Sequence, residues 1–438
     1  MRVLLVSAND ASNLQPIFPL GIAYVAANLD PGHERRALDL YLTQDWPPEL
    51  EQLIASYRPG LIGVSIRNLD TQNYFAPSSL LEVPRELVRT CHKLTDAPVV
   101  IGGTATSLMP VRTLQYLEAD AAIAGEGETH FREAVNARAA GRTLDGVPGT
   151  VTSDADAVEL SPEDVNNLRP PDWGLFSLSE YVARGMAANV QTKRGCPFRC
   201  VYCATHLLEA RTTRLRDPEA VADEIEELAA AHGVRTVHFV DDNFNYPSAH
   251  ALALCETFTR RGLPVRWICN LHPGYVDEGL VAAMKRAGCI YAAVGSESAN
   301  EQMLANLRRP YSPADVERTC RLLSQAGMEN WASLLLGGPG ETPATVEESI
   351  ARMGALEGTS VGITAGIRVH PGTELAEIAR REGVIDGATD LLFPAFYLSP
   401  AVANTIVEQV RGALAEHRNW SSNAVPGTIS WRPPQSHA

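Results

Sequence analysis

Residues 192–206 read TKRGCPFRCVYCATH and crowd Cys196, Cys200 and Cys203 into eight positions. Thiolates at such spacing suit a metal ion or an iron-sulfur cluster. A structural zinc ion closes on four protein ligands, and a cubane is commonly held by four thiolates. Only three cysteines converge here. Three thiolates on a 4Fe-4S cluster leave one iron open to an exogenous molecule, which is the arrangement of a reactive centre rather than a structural one. His206, three residues after Cys203, is the local alternative as a fourth ligand, and with it the loop reads as a closed zinc site. The other cysteines, Cys91, Cys255, Cys269, Cys289 and Cys320, stand singly in apolar periodic segments and read as small buried hydrophobes.

The loop needs a scaffold, and the 438-residue chain is too long for one ordinary core, so two domains are expected. Short β-branched runs alternate with helical patterns, the signature of parallel α/β units. Strands expected at 2–7, 36–41, 60–66, 98–102 and 121–124, with helices between them, describe a doubly wound, Rossmann or flavodoxin-like domain over residues 1–142. Residues 143–185 are rich in Pro, Asp and Ser and read as a linker or bridge. A second series, with strands at 187–192, 236–240, 265–270, 291–295, 332–336 and 362–369, describes a (β/α)6 partial TIM barrel over 186–395. Residues 396–438 carry an aromatic stretch, an amphipathic helix and, from Asn419, a turn-rich tail expected to be irregular.

Composition narrows the partners. The chain is 45% hydrophobic and 20% charged, with no apolar run near the ~20 residues of a membrane span. The start, MRVLLVSAND, is too short for a secretory apolar segment and reads as a strand, so a reducing cytoplasm is expected. A formal charge of -15 disfavours a nucleic-acid backbone as partner and leaves small molecules or peptides.

In a parallel barrel, chemistry belongs at the C-terminal ends of the strands. After the second expected barrel strand comes FVDDNFNY, after the fourth VGSESANEQML, after the fifth LLLGGPGET and after the sixth GIRVHPGTEL. Together with CPFRCVYC, in which Tyr202 precedes the last cysteine, this series resembles the radical S-adenosylmethionine (SAM) superfamily over about residues 187–395. The resemblance implies that the open iron is chelated by SAM and that electron transfer from the cluster releases a 5'-deoxyadenosyl radical. It further implies that Tyr202 lies at the cofactor and that Asp241 and Asp242 receive the SAM amino group. Ser296, Glu297 and Ser298 would then meet the ribose and carboxylate, Gly337, Gly338 and Gly340 would let the adenosine approach backbone, and Arg368 and His370 would stand near the barrel mouth. Taken alone, the Asp pair reads as a helix cap, the glycine loop as a turn and His370 as a structural histidine.

Within that superfamily, a doubly wound domain ahead of the barrel is similar to the cobalamin-binding class. The strand ends carry FPLGIAYVAANL, VVIGGTATSL and AIAGEGETHF. The resemblance implies that Leu20, Gly21, Gly102, Gly103, Thr104, Gly125, Glu126 and Gly127 line the corrin edge and nucleotide tail. The stretch SIRNLDTQNYFAP resembles the Arg-Asn-x-Asp segment of cobalamin-dependent radical SAM methyltransferases. This implies Arg67 and Asn68 at the cobalamin, with Arg67 below the corrin where a cation disfavours water as axial ligand. The plainer alternative is an Arg67–Asp70 ion pair. No Asp-x-His-x-x-Gly motif occurs, so no histidine from it would reach the cobalt.

The implied activity is methyl transfer to an unactivated carbon, or a phosphinate phosphorus, of a small molecule in specialised metabolism, by way of the 5'-deoxyadenosyl radical and methylcobalamin. An electron donor such as flavodoxin or ferredoxin is then required. Alternatives are a radical SAM enzyme of this architecture catalysing cyclisation, rearrangement or another SAM-derived group transfer, with or without cobalamin, and a non-catalytic zinc or iron-sulfur module.

Overall fold

The computed structural model describes residues 1–9, 17–43, 45–153 and 161–425. The apolar run of strand Arg2–Ser7 is buried at five of six positions, as a central strand covered on both faces must be. The first sheet runs in the order Glu34–Asp39, Arg2–Ser7, Leu61–Ser65, Val99–Gly102, Ala121–Ile123, Thr150–Val151. Its first five strands are parallel, in the flavodoxin-like order. The edge strand Thr150–Val151, which the sequence reading placed in the bridge, pairs antiparallel with Ala121–Ile123. Strand order reverses between Arg2–Ser7 and Leu61–Ser65, and ligands of such sheets bind in the crevice beyond the strand ends there.

The second sheet is seven-stranded and parallel: Ala188–Val190, Thr236–Phe239, Arg266–Leu271, Cys289–Glu297, Glu329–Leu336, Thr359–Ala365 and Trp420–Ser422. The first six are the expected barrel strands. The seventh corrects the reading of residues 419–422 as irregular: Trp420 pairs with Val361, is 7% exposed and stacks on His417 at 4.4 Å. Its pairing covers the edge that Thr359–Ala365 would otherwise leave open. The rest of that expected irregular tail, residues 426–438, lies outside the described residues. The expected amphipathic helix is Ile406–Glu416.

Helix starts fix where the strand-end loops stop. Ser312 and Thr342 form capping boxes ahead of Pro313–Gln325 and Pro343–Gly354, and Asp217 caps Pro218–His232. Each cap satisfies amide donors at a cost of about 0.5–2 kcal/mol if lost.

The bridge is packed between the two sheets. Trp173, Phe176, Leu178 and Tyr181 are buried in a core that contains residues of both domains. Phe18 stands 5.1 Å from Trp173 and 5.7 Å from Tyr181, and the Tyr181 hydroxyl donates to Asp39 Oδ2 at 2.6 Å. Among the described residues, no helix is long and apolar enough to cross a membrane.

Candidate active site

The cysteine loop leaves the first barrel strand through Gly195 (φ +85°), where a Cβ would fall 2.3 Å from the Thr212 carbonyl oxygen. Only glycine makes this turn without displacing backbone. The Gly195 N–H donates to Glu209 Oε2 at 2.9 Å, and Arg211 donates to the Phe198 carbonyl at 3.0 Å. So held, Cys196, Cys200 and Cys203 line one wall of a cavity of about 230 Å³ at the barrel mouth. All three are free thiols.

Polar partners face each sulfur. Arg309 Nη1 donates to Cys200 Sγ at 2.9 Å, Asn243 Nδ2 reaches Cys196 Sγ at 3.7 Å, and Cys203 Sγ stands 3.3 Å from the Thr205 hydroxyl. Burial pushes the Cys196 thiol up to about 12, so its thiolate needs a cation beside it. Among the described residues, no three Cys, His, Asp or Glu side chains gather as ligands of one metal ion. A cubane accepts thiols spread along a wall, because each thiolate takes a different iron. His206 Nδ1 instead meets the Cys203 carbonyl at 3.1 Å.

The expected SAM stations divide. Tyr202, Asp242 and Glu297 line the same cavity. Glu297 is brought there by a register slip between Val294 and Glu297 and by its left-handed φ of 55°. Burial, then the charge of Asp241, pushes the Asp242 carboxyl up to about 6. Asp241 itself points away: it accepts from Thr192 N at 2.7 Å and Thr192 Oγ1 at 2.6 Å, with Lys193 Nζ at 3.5 Å. Ser296 donates to the Ser333 carbonyl, and Ser298 shares a 3.1 Å hydrogen bond with Ser349; both are buried outside the cavity lining.

Gly337 and Gly338 N–H groups are spent on Glu341 Oε2, at 2.6 and 3.1 Å, and Gly340 adopts φ +78° beside Asn306. Arg368 is buried against Asp70 at 2.6 Å, and burial pushes His370 down to about 4. Among the cavity residues that the sequence reading did not name are Arg309 and Trp331. Arg309 follows the left-handed Arg308 (φ 54°), and nothing in the doublet's spacing separates it from a surface pair. Trp331 also lines the cavity; its Nε1 is buried beside Gly362 without a hydrogen-bond partner among the described residues.

A second cavity, of about 460 Å³, lies at the switch point of the first sheet. Leu20, Gly21, Arg67, Gly102, Gly103, Thr104, Gly125, Glu126 and Gly127 line it, whereas Asn68 does not. Its far wall is the barrel's Asn189, Gln191, Arg194, Leu208, Glu209 and Val240. A Cβ at Gly21, in the first turn of helix Leu20–Ala27, would meet nothing within 4 Å, so this helix start faces open space. Glu126 both lines the cavity and ties the domains, accepting from Arg194 at 3.1 Å and from Arg214. Arg194 also reaches Glu128 at 2.6 Å.

Arg67 does not pair with Asp70, whose carboxylate is taken by Arg368. Its guanidinium has no hydrogen bond or ion pair among the described residues, and burial alone lowers its pKa. Glu209 borders both regions: it lines the larger cavity and, with Cys196 and Asp242, a crevice beside the cysteine loop. Burial, and secondarily Asp242, pushes its carboxyl up to about 7.

A flavodoxin-like domain facing a parallel half-barrel, with a three-thiol loop at the barrel mouth and a glycine-lined cavity between them, defines a two-cofactor α/β class. The family models agree: the radical SAM superfamily matches residues 190–353 and the B12-binding domain matches residues 7–135. The chain thus carries a radical SAM domain and, ahead of it, a B12-binding domain. It is 27% identical over 432 residues to tryptophan 2-C-methyltransferase of Streptomyces laurentii, covering 83% of this chain and 72% of that protein. To an uncharacterised methyltransferase of Pyrococcus horikoshii it is 26% identical over 391 residues, covering 86% and 83%. Among solved structures it is similar to the radical SAM methyltransferase TsrM from Kitasatospora setae with tryptophan and aza-SAM bound. The TM-score is 0.88 at 28% identity, covering 98% of this chain and 92% of that one. The cobalamin-dependent enzyme OxsB shares the fold, with a TM-score of 0.76 at 16% identity, covering 91% of this chain and 64% of that one.

Proposed function

We propose that the chain is a cobalamin-dependent radical SAM methyltransferase acting on a small molecule. The observation that carries this reading is the chain of lining residues between the two cavities: Glu209 lines the larger one and also a crevice whose Cys196 and Asp242 line the cluster cavity. When bound, the cluster supplies an electron to SAM and the cobalamin carries the methyl group.

The chain's own residues do the rest. Cys196, Cys200 and Cys203 hold the cluster, and Arg309 stabilises the Cys200 thiolate and presents a cation to the cavity. Asp242 and Glu297 offer polar contacts to SAM, which the wall of Tyr202 shields from water. Gly21, Gly102, Gly103, Thr104, Gly125 and Gly127 admit the corrin to backbone distance, and Arg67 faces it. Glu209 spends Oε2 on the Gly195 N–H and lines both the larger cavity and the crevice beside the cysteine loop, where a substrate would meet both cofactors.

The electron comes from a flavodoxin- or ferredoxin-type protein, and the compartment is a reducing one. The experiment is anaerobic incubation of the cofactor-loaded protein with SAM, a reductant and candidate small molecules, read by mass spectrometry. A product heavier by one methylene equivalent supports the reading, and its loss in Glu209→Gln at full iron and corrin content supports the place given to Glu209. SAM cleavage with a cyclised or rearranged product of unchanged carbon count contradicts methyl transfer.

A further inference from the structure

The cysteine loop is closed at its base by a two-stranded ribbon. Lys193–Arg194 and Arg214–Leu215 pair antiparallel with Arg194 opposite Arg214, so the two ends of residues 195–213 stand side by side. Like charges placed directly opposite repel, and such a pair calls for an anion between them. The first domain supplies it. Arg194 Nη1 donates to Glu126 Oε2 at 3.1 Å, Arg214 Nη1 donates to the same oxygen at 2.7 Å, and Arg214 Nη2 donates to Glu126 Oε1. From the bridge, the Glu163 N–H adds a third donor to Oε2 at 3.0 Å. Although Glu126 lines the larger cavity, only its Oε1 keeps a lone pair to spare. The clamp extends into the loop itself. Arg214 also donates to the Glu163 carbonyl at 2.8 Å and to the Glu209 carbonyl at 2.7 Å, and Glu209 Oε2 accepts the N–H of Gly195, one residue before Cys196. The side chains of Glu126 and Arg194 are 6% and 7% exposed, so without the Glu126 charge two arginines would face each other in the interior. Burial alone would raise the Glu126 carboxyl; the Arg214 hydrogen bond and the Arg194 charge hold it below its ordinary value.

We propose that Glu126 is a positioning residue for the iron-sulfur cluster: one carboxylate of the first domain holds both ends of the loop that carries Cys196, Cys200 and Cys203. The proposal rests on the reading of those cysteines as cluster ligands, and it assigns Glu126 to the cluster loop rather than to the corrin that the sequence pattern implies. The environment of a cluster follows from where its sulfur ligands stand, and these stand on a loop whose ends are fixed from outside the barrel. Glutamine at position 126 keeps the shape and removes the charge, so the two arginines lose their common anion and the loop loosens.

The test compares anaerobically reconstituted, cobalamin-loaded wild type with Glu126→Gln, Arg214→Lys and Asp70→Asn. Four quantities are read: the electron paramagnetic resonance of the reduced cluster, iron release to an Fe(II) chelator, corrin affinity and the thermal midpoint. Arg214→Lys keeps a cation but not the fork that spans Glu126, Glu163 and Glu209. Asp70→Asn is the structural control, because it weakens another buried ion pair between the domains: its carboxylate bonds Gln72 and the barrel's Arg368 rather than the cysteine loop. At full initial iron content, Glu126→Gln and Arg214→Lys are expected to change the cluster signal and to release iron roughly tenfold faster, with corrin affinity within about twofold of wild type. Asp70→Asn is expected to keep the wild-type signal and release rate even where its midpoint falls. If Glu126→Gln does not fold, Arg214→Lys decides. A wild-type signal and release rate in either loop variant overturns the proposal, as does an equal change in Asp70→Asn, which would make the clamp one structural contact among several. Corrin affinity lost to the same extent as iron, or lost with an unchanged cluster, overturns it too. Iron retained when all three cysteines are replaced by alanine defeats the cluster reading itself, which none of these variants can mimic.

Discussion

Arg309 bonds the Cys200 sulfur through Nη1 at 2.9 Å, while Nη2 holds the Gly295 carbonyl at 3.0 Å and Nε the Tyr311 hydroxyl at 2.8 Å. A cationic donor anchored at two points besides the sulfur cannot follow the sulfur as its charge changes, so it favours whichever cluster state carries more negative charge. That is the reduced state. Replacing Arg309 with Met is expected to lower the cluster's midpoint potential while iron content is retained. A charge-assisted hydrogen bond of about 1.5–3 kcal/mol sets the scale at no more than roughly 60–130 mV for one electron. A redox titration followed by electron paramagnetic resonance measures it, and an unchanged potential would remove Arg309 from the cluster's environment.

Glu341 gives a pH-dependent prediction. Burial pushes its carboxyl from 4.5 up to about 7, against the pull of the Gly337 and Gly338 N–H groups, and Oε1 is buried without a hydrogen-bond partner among the described residues. Because the folded value lies above the unfolded one, its contribution to stability is full below about pH 4.5 and is lost as pH rises through about 7. Glu341→Gln keeps an acceptor for both amides and removes the charge. It should therefore raise stability by roughly 2–3 kcal/mol near pH 8 and change it little near pH 4.5. Urea midpoints of the two proteins at both pH values test this; an equal difference at both would contradict it.

Gly103 holds φ +93° where a Cβ would approach the Ile66 carbonyl oxygen to 2.6 Å and Ile66 N to 3.0 Å. Both obstacles are backbone, so no side chain can swing away. Gly103→Ala should cost about 1–3 kcal/mol locally and reduce corrin uptake at least tenfold, measured by equilibrium binding, while iron content stays at wild-type level. Equal loss of iron and corrin would mean that the whole fold fails.

The periodic signals carried most of the architecture. The strand Arg2–Ser7 stands where its apolar run placed it. Strand Trp420–Ser422 was illegible because three residues carry no period, and its pairing depends on an edge formed 60 residues earlier. At the site, cysteine spacing is a local signal and survived intact. The stations beyond it blur because adjacent residues at a strand end, or just past it, face different ways. Thus Asp241 and Asp242, or Ser296 and Glu297, look equivalent in sequence while one of each pair faces the cavity and the other the strand network. Arg368 and Asp70 show the further limit: each reads as a ligand-facing or surface charge until the fold brings them together.

The central claim is that this chain passes a methyl group from SAM to cobalamin. It is tested most directly, without knowing the final acceptor, by adding SAM with a deuterated methyl group to anaerobic protein loaded with iron, sulfide and reduced cobalamin, then extracting the corrin for mass spectrometry. The account predicts cobalamin carrying the trideuteromethyl group. Corrin that is fully bound yet remains unmethylated would contradict it.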